Sequence, residues 1–221
     1  MFPLYDTARS HKFPVINLML IGVNVLFFFQ ETGMEPAELQ NFIFTNGLIP
    51  AQFLANMNGE WMTILSSTFL HGGWFHLLSN MWVLFIFGDN IEARLGGIRY
   101  LVFYLLSGVT AALLQTYVLP SSQVPMIGAS GAVAGVLGAY LVLFPQSRIA
   151  SLVPIFFIFT LVELPAFIFL VFWFISQLYS GLFSLQGSAG GVAWWAHIGG
   201  FVFGIFIAFF FRRRRTSYYY S

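Results

Sequence analysis

The sequence predicts an all-α bundle that crosses a lipid bilayer six times. Three observations lead there. Charged residues make up only 8% of the 221-residue chain and apolar residues 58%. Soluble domains run near 25% charged, so lipid has to be the main solvent. Apolar runs of spanning or near-spanning length recur along the chain, and a helix closes its own backbone hydrogen bonds in lipid. Threading the chain through six spans also puts every Lys and Arg on one face of the membrane.

Residues 1–221 read as a single membrane domain with helices near 14–29, 74–87, 98–119, 128–144, 165–179 and 193–211. The first follows Arg9 and Lys12, as a signal peptide would. No small-residue cleavage site follows its apolar run at Phe27-Phe28-Phe29-Gln30-Glu31, so a retained helix is expected. The loop 30–73 mixes Phe42, Phe44, Leu48, Ile49, Phe53, Leu54, Trp61, Ile64 and Leu65 with polar residues. It predicts short amphipathic helices in the outer interface. The stretch 149–179 is too long for one span. Glu163 and Pro165 divide it, since Pro suits the first helical position and an acid suits the positive helix end. The fifth helix is therefore expected from Pro165, with Ser151–Val162 an apolar stretch at the membrane face.

Six spans place both termini on the same side. Arg9 and Lys12, Arg94 and Arg99, Arg148, and Arg212–Arg215 all fall there, while the opposite loops carry Glu31, Glu35, Glu38 and Glu60. The expected orientation has both termini in the cytoplasm. The Arg212–Arg215 run directly follows a span, which makes it a topology anchor and not a nucleic-acid patch. The absence of cysteine excludes disulfides, thiolate metal sites and a cysteine nucleophile.

Polar residues within the predicted spans are costly and need a reason. Helix four reads Gly128-Ala129-Ser130-Gly131, then Gly135 and Gly138; helix six reads Ala196-His197-Ile198-Gly199-Gly200, then Gly204 and Ala208. His197, Gly200, Gly204 and Ala208 share a face, and small-residue strips let helix backbones approach closely. Ser130 and His197 each lie 14 residues from the far end of their predicted helices. At the helical rise both sit about 21 Å above the cytoplasmic edge. A lone membrane serine usually bonds its own helix backbone, and a lone histidine can be a packing residue. Equal depth beside two small-residue strips favours a catalytic pair over those readings. On helix two, His76 and Asn80 share a face and can both donate hydrogen bonds, as an oxyanion hole requires. His71, before Gly72-Gly73, reads as a loop residue that ties the outer loop to the helix end.

Other chemistries fit less well. No His-Glu-x-x-His helix is present, and the only aspartates, Asp6 and Asp89, lie on the cytoplasmic side. A transporter would show ionisable residues along its path or inverted repeats.

These residues together resemble the rhomboid family of intramembrane serine proteases, in its minimal six-helix bacterial form. The resemblance rests on His71, His76 and Asn80, on Gly88-Asp89-Asn90-Ile91-Glu92-Ala93-Arg94-Leu95-Gly96, on Gly128-Ala129-Ser130-Gly131, and on Ala196-His197 with Gly200 and Gly204. It implies a six-helix bundle with an outer interfacial loop between helices one and two. It implies Ser130 as nucleophile and His197 as general base, with His76, Asn80 and the Ser130 backbone N–H as oxyanion hole. Glu92 and Arg94 match a structural motif of the cytoplasmic loop after helix two. His71, Gly128, Gly131, Gly200 and Gly204 are expected to be structural near the site. The implied substrates are single-pass or multi-pass membrane proteins cut near the outer boundary, with no metal, organic cofactor or nucleic acid involved. A bacterial inner membrane is the implied location. A catalytically silent relative that binds transmembrane helices is the alternative. Two positions depart from the family pattern. Trp61 is followed by Met62 where an arginine is common. Ala134 stands where some members stack a tyrosine on the histidine, which leaves Trp194 or Trp195 to orient His197.

Overall fold

The computed structural model describes residues 2–8, 10, 12–155, 158–185 and 191–212. Arg9, Arg213, Arg214, Arg215 and the Tyr218–Tyr220 tail lie outside the described residues. The chain is mostly helical. Strand β1 (Phe2–Asp6) leads into α1 (Val15–Thr32). The following loop holds α2 (Pro36–Asn46), α3 (Pro50–Ala55), α4 (Met57–Glu60), α5 (Thr63–Ser66) and a 3-10 turn at Ser67–Phe69. Then come α6 (Trp74–Leu95), α7 (Gly97–Val118), α8 (Ser130–Leu143), strands β2 (Arg148–Ile155) and β3 (Ile158–Pro165), α9 (Ala166–Ser184) and α10 (Trp194–Phe211). Among the described residues, four helices, α1, α7, α9 and α10, are long and apolar enough to cross a membrane; α8 is apolar but shorter, at 14 residues.

Local chemistry sets most boundaries. Pro36 and Pro50 open α2 and α3, where a missing N–H costs nothing. Asn56 caps α4 by accepting from the Gly59 N–H. Gly96, at φ 86°, turns the chain between α6 and α7 in one residue, a conformation that favours glycine. The 30–73 loop is thus built of short helices. Leu48 and Phe53 in this loop pack with Ala112 of α7 as a small apolar cluster of their own.

Two expectations are corrected. Strands β2 and β3 pair with each other, and β1 adds to them as the third strand, in the order β1-β2-β3 with both pairs antiparallel. The fold is therefore not all-α. Ser151–Val162 is rich in β-branched and aromatic residues and holds Pro154, which a helix interior excludes and a strand near its end tolerates. Sequence pattern alone does not show that Phe2–Asp6 would return to pair with it. The second correction concerns Glu92 and Arg94. They belong to the last turns of α6, which runs on past Phe87 to Leu95, and not to a loop. Polar residues do not end a helix; Gly96 does.

The core runs through the middle of the bundle. Residues Gly131–Tyr140 of α8 are all buried, as befits a helix apolar on every side. Tyr100, Tyr104, Tyr140, Phe87 and Phe201 are the largest fully buried side chains. The α8–α10 contact is backbone on backbone. A Cβ on Gly200 would overlap the Gly131 carbonyl, one on Gly204 the Gly135 carbonyl, and one on Gly138 the Phe201 carbonyl. Large apolar side chains such as Leu26, Phe75, Tyr117, Phe206 and Phe210 point outward. Water would not tolerate that surface, whereas lipid does.

Polar side chains tie the end of the bundle opposite Ser130. The Glu92 carboxylate accepts from the backbone N–H groups of Ile16 (3.1 Å) and Asn17 (2.8 Å), filling the open donors at the start of α1. Asn17 donates to the Leu84 carbonyl (3.0 Å) and accepts from Tyr100 (2.7 Å). Arg94 Nε donates to the Phe211 carbonyl (3.1 Å) at the end of α10. Asp6 of β1 accepts from the Tyr140 hydroxyl (2.5 Å) and the Asn90 amide (3.1 Å), and Trp82 Nε1 donates to the Pro3 carbonyl (2.7 Å).

Candidate active site

Gly128, at φ 122°, makes the turn that starts α8, and its N–H donates to the Ser67 carbonyl (2.8 Å). Ser130 is thereby the first residue of the helix. Its hydroxyl does not fold back onto its own chain; Oγ lies 2.8 Å from Nε2 of His197, 67 residues later on α10. The glycine notches described above make this possible. They bring the α8 and α10 backbones close enough for a short and a medium side chain to meet. Gly131 sits between Ala111 of α7 and Ala196, so the first turn of α8 is also closed off on the α7 side.

His76 approaches the same turn from α6. A Cβ on Gly128 would collide with the His76 ring edge at Cε1 and Nε2, so glycine is what admits the ring. The Gly72 N–H points at His76 Nδ1 (3.4 Å), a long contact that leaves Nε2 as the ring's donor toward Gly128. Asn80, buried one turn below, donates one amide hydrogen to the His76 carbonyl (3.0 Å). Its amide carries a second hydrogen.

His71 is buried and packs edge-on against His76, ring centroids 5.1 Å apart. Its backbone N–H donates to both carboxylate oxygens of Glu31 (3.2 Å each), fastening the loop to the end of α1. Burial pushes the His71 imidazole down to about 4, and the His76 ring beside it acts in the same direction. A ring that stays neutral near pH 7 suits a packing role.

One residue of the site escapes the sequence reading. The amide oxygen of Gln177, on α9, lies 2.8 Å from His197 Nδ1. Trp173, one turn earlier, lies over the imidazole at 6.1 Å and 30°, and Trp194 meets it edge-on at 6.0 Å and 86°. Of the two tryptophans expected to orient His197, Trp194 touches it. Trp195 has no ring contact with it among the described residues. The signal for Gln177 was available: Ser176-Gln177 is a polar pair inside an apolar helix, and such residues need a reason. Among the described residues, no group of three His, Asp or Glu converges as a metal site would.

Comparison with known proteins accords with this geometry. The sequence model of the Rhomboid domain matches residues 58–214, a stretch that contains His71, His76, Asn80, Ser130, Gln177 and His197. The Bacillus subtilis rhomboid-family protein YdcA is 33% identical over 141 residues, covering 63% of this chain and 68% of YdcA. The rhomboid protease GluP of the same organism is 38% identical over 90 residues, 41% of this chain and 17% of GluP. An inactive rhomboid-like protein of Arabidopsis thaliana, number 8, is 37% identical over 109 residues, 47% of this chain and 30% of that protein. The chain thus spans about two thirds of YdcA but less than a third of the other two. The family includes intramembrane serine proteases and inactive relatives, and its members work within the bilayer. By the match across 58–214 and the likeness to YdcA, this chain belongs to the rhomboid family.

Proposed function

We propose that this chain is an intramembrane serine endopeptidase, with Ser130 as nucleophile and His197 as general base. The observation that carries the proposal is the 2.8 Å contact between Ser130 Oγ and His197 Nε2. Serine at its ordinary pKa is a weak nucleophile and needs a base within reach. As Oγ attacks the scissile carbonyl carbon, its proton passes to Nε2. The carbonyl oxygen becomes an oxyanion, which His76, Asn80 and the Ser130 backbone N–H stabilise. Collapse of the tetrahedral adduct breaks the C–N bond, and His197 returns the proton to the leaving nitrogen. Water then attacks the acyl-enzyme, giving its proton to His197, and Ser130 leaves protonated.

The substrates in this reading are transmembrane segments of other membrane proteins. The helices α1, α6, α7, α8, α9 and α10 form six spans, with the Ser130 end at the outer boundary and both termini in the cytoplasm. The one-sided placement of Lys and Arg supports that orientation. The membrane in this reading is a bacterial inner (plasma) membrane; the bacterial source of YdcA supports the bacterial setting. A reporter fused after Ser221 that worked only outside the cytoplasm would overturn the topology.

The activity is tested by incubating purified protein with a model transmembrane substrate and mapping cuts by mass spectrometry. A cut near the outer boundary, absent with Ser130→Ala, is the expected result. An uncut substrate with folded wild-type protein points instead to a silent relative that binds transmembrane helices; an inactive rhomboid-like protein of Arabidopsis shows that the family includes silent members.

A further inference from the structure

The amide of Gln177 is locked at both ends. Its Nε2 reaches the Trp173 carbonyl (3.3 Å) and Ser176 Oγ (2.9 Å), and the Ser176 hydroxyl is itself turned to the Trp173 carbonyl (2.5 Å). A flipped amide would set oxygen against those two oxygens. Oε1 therefore faces His197 Nδ1 at 2.8 Å, and an amide oxygen only accepts. The imidazole proton then belongs on Nδ1. Nε2 is left as the free lone pair, 2.8 Å from the Ser130 hydroxyl. Gln177 is buried, so water does not compete for the Nδ1 proton. The flanking rings of Trp173 and Trp194 restrict rotation of the imidazole.

We propose that Gln177 is a positioning residue that holds His197 in the Nδ1–H tautomer, so that Nε2 is ready to take the Ser130 proton. The proposal rests on the protease reading above. It gives the pair a third member from a separate helix. Serine hydrolases more often place a carboxylate at this point, which fixes the same tautomer and also stabilises the imidazolium. A neutral amide supplies the orientation and only a dipole toward the charge. During attack, Ser130 loses its O–H bond and Nε2 gains the proton, while the Nδ1 proton stays on the ring, shared with Gln177 Oε1. When the proton moves on to the leaving nitrogen, the ring returns to its starting tautomer without rotating.

The test uses the full chain in detergent and two readouts. The first is cleavage of a model transmembrane substrate by wild type, Gln177→Met and Gln177→Glu. Methionine keeps the volume and removes the acceptor; glutamate keeps an acceptor oxygen. The second is nitrogen-15 NMR of the histidine rings, with His197 assigned by comparison with His197→Ala. Wild type is expected to show Nδ1 protonated and Nε2 bare. In Gln177→Met, kcat should fall about 10- to 100-fold with KM within about twofold, because the base is misheld and binding is not altered. The same variant should lose the single tautomer in the NMR, and Gln177→Glu should recover both, with the Ser176 hydroxyl turned from the Trp173 carbonyl to donate to the second carboxylate oxygen. A Met variant with wild-type kcat, or a wild-type His197 protonated on Nε2, overturns the proposal. Wild-type protein that cuts nothing refutes the protease reading alone, since the NMR still decides the tautomer. If the Met variant does not fold, the wild-type spectrum decides.

Discussion

The two ends of the bundle use their polar groups differently. At the end that holds Asp6, Asn17, Glu92 and Arg94, side chains are committed to backbone groups and to one another across long sequence separations. They close helix ends and pin β1 in place. At the other end, Ser130 faces an imidazole and not a carbonyl. Other serines in the long helices behave as membrane serines usually do: Ser79, Ser107, Ser176 and Ser184 each donate to a carbonyl of their own helix. The contrast teaches that polar character alone does not mark a site in this molecule. What marks it is a serine whose hydroxyl meets an imidazole on another helix in place of a carbonyl of its own.

That difference can be broken from either end. The largest effect is expected at the Ser130 end. His76→Ala or Asn80→Ala should each lower kcat by up to about 10²–10³, with little change in unfolding midpoint, because a preorganised donor acts on the transition state. Full activity in the double variant, measured on the model substrate, would remove both from the mechanism.

At the opposite end the signature should invert. Glu92→Ala strips the acceptors from the Ile16 and Asn17 N–H groups, so stability should fall by about 1–3 kcal/mol. Cleavage per folded molecule should stay near wild type. Denaturation in detergent alongside activity normalised to folded protein checks this. A loss of turnover without a loss of stability would erase the distinction between the two ends.

The smallest effect sharpens the same contrast through pH. Burial raises the Asp6 carboxyl from its ordinary 3.8 to about 6, with Asp89 adding to the rise and the Tyr140 hydrogen bond opposing it. Between about pH 4 and 6 the folded protein holds a proton that the unfolded chain has released. This contribution to stability is therefore present at low pH and declines as pH rises through that window. Partial exposure of Asp6 keeps the slope modest. Asp6→Asn should remove this one contribution, making the decline in stability between about pH 4 and 6 less steep in a thermal melt. An unchanged slope would show that other groups govern it.

Much of this arrangement is readable from the chain itself. Lipid demands long apolar runs, so the helices stand out, and their expected starts agree with α1, α6, α7, α9 and α10 to within a residue. The meeting of Ser130 with His197 is legible because equal depth is a one-dimensional quantity that residue counting delivers. The pairing of β1 with β2 is not legible, since the two strands are separated by most of the chain and pairing over that distance leaves no local periodicity. The Ser176-Gln177 pair flags α9 as carrying a polar group, but the partner of Gln177, His197, lies on another helix and the spacing of α9 does not name it. The end of α6 is not legible because the apolar run stops before the helix does.

The claim that Ser130 is an activated nucleophile, and not one more helix-bonded serine, is tested most directly by a fluorophosphonate probe on folded protein in detergent. A serine activated by an adjacent base forms the phosphonyl adduct, whereas one tied to its own backbone is inert. A single adduct mapped to Ser130 is expected, lost in Ser130→Ala, strongly reduced in His197→Ala, and indifferent to chelators. No adduct at Ser130, while a known serine hydrolase in the same tube is labelled, would contradict it.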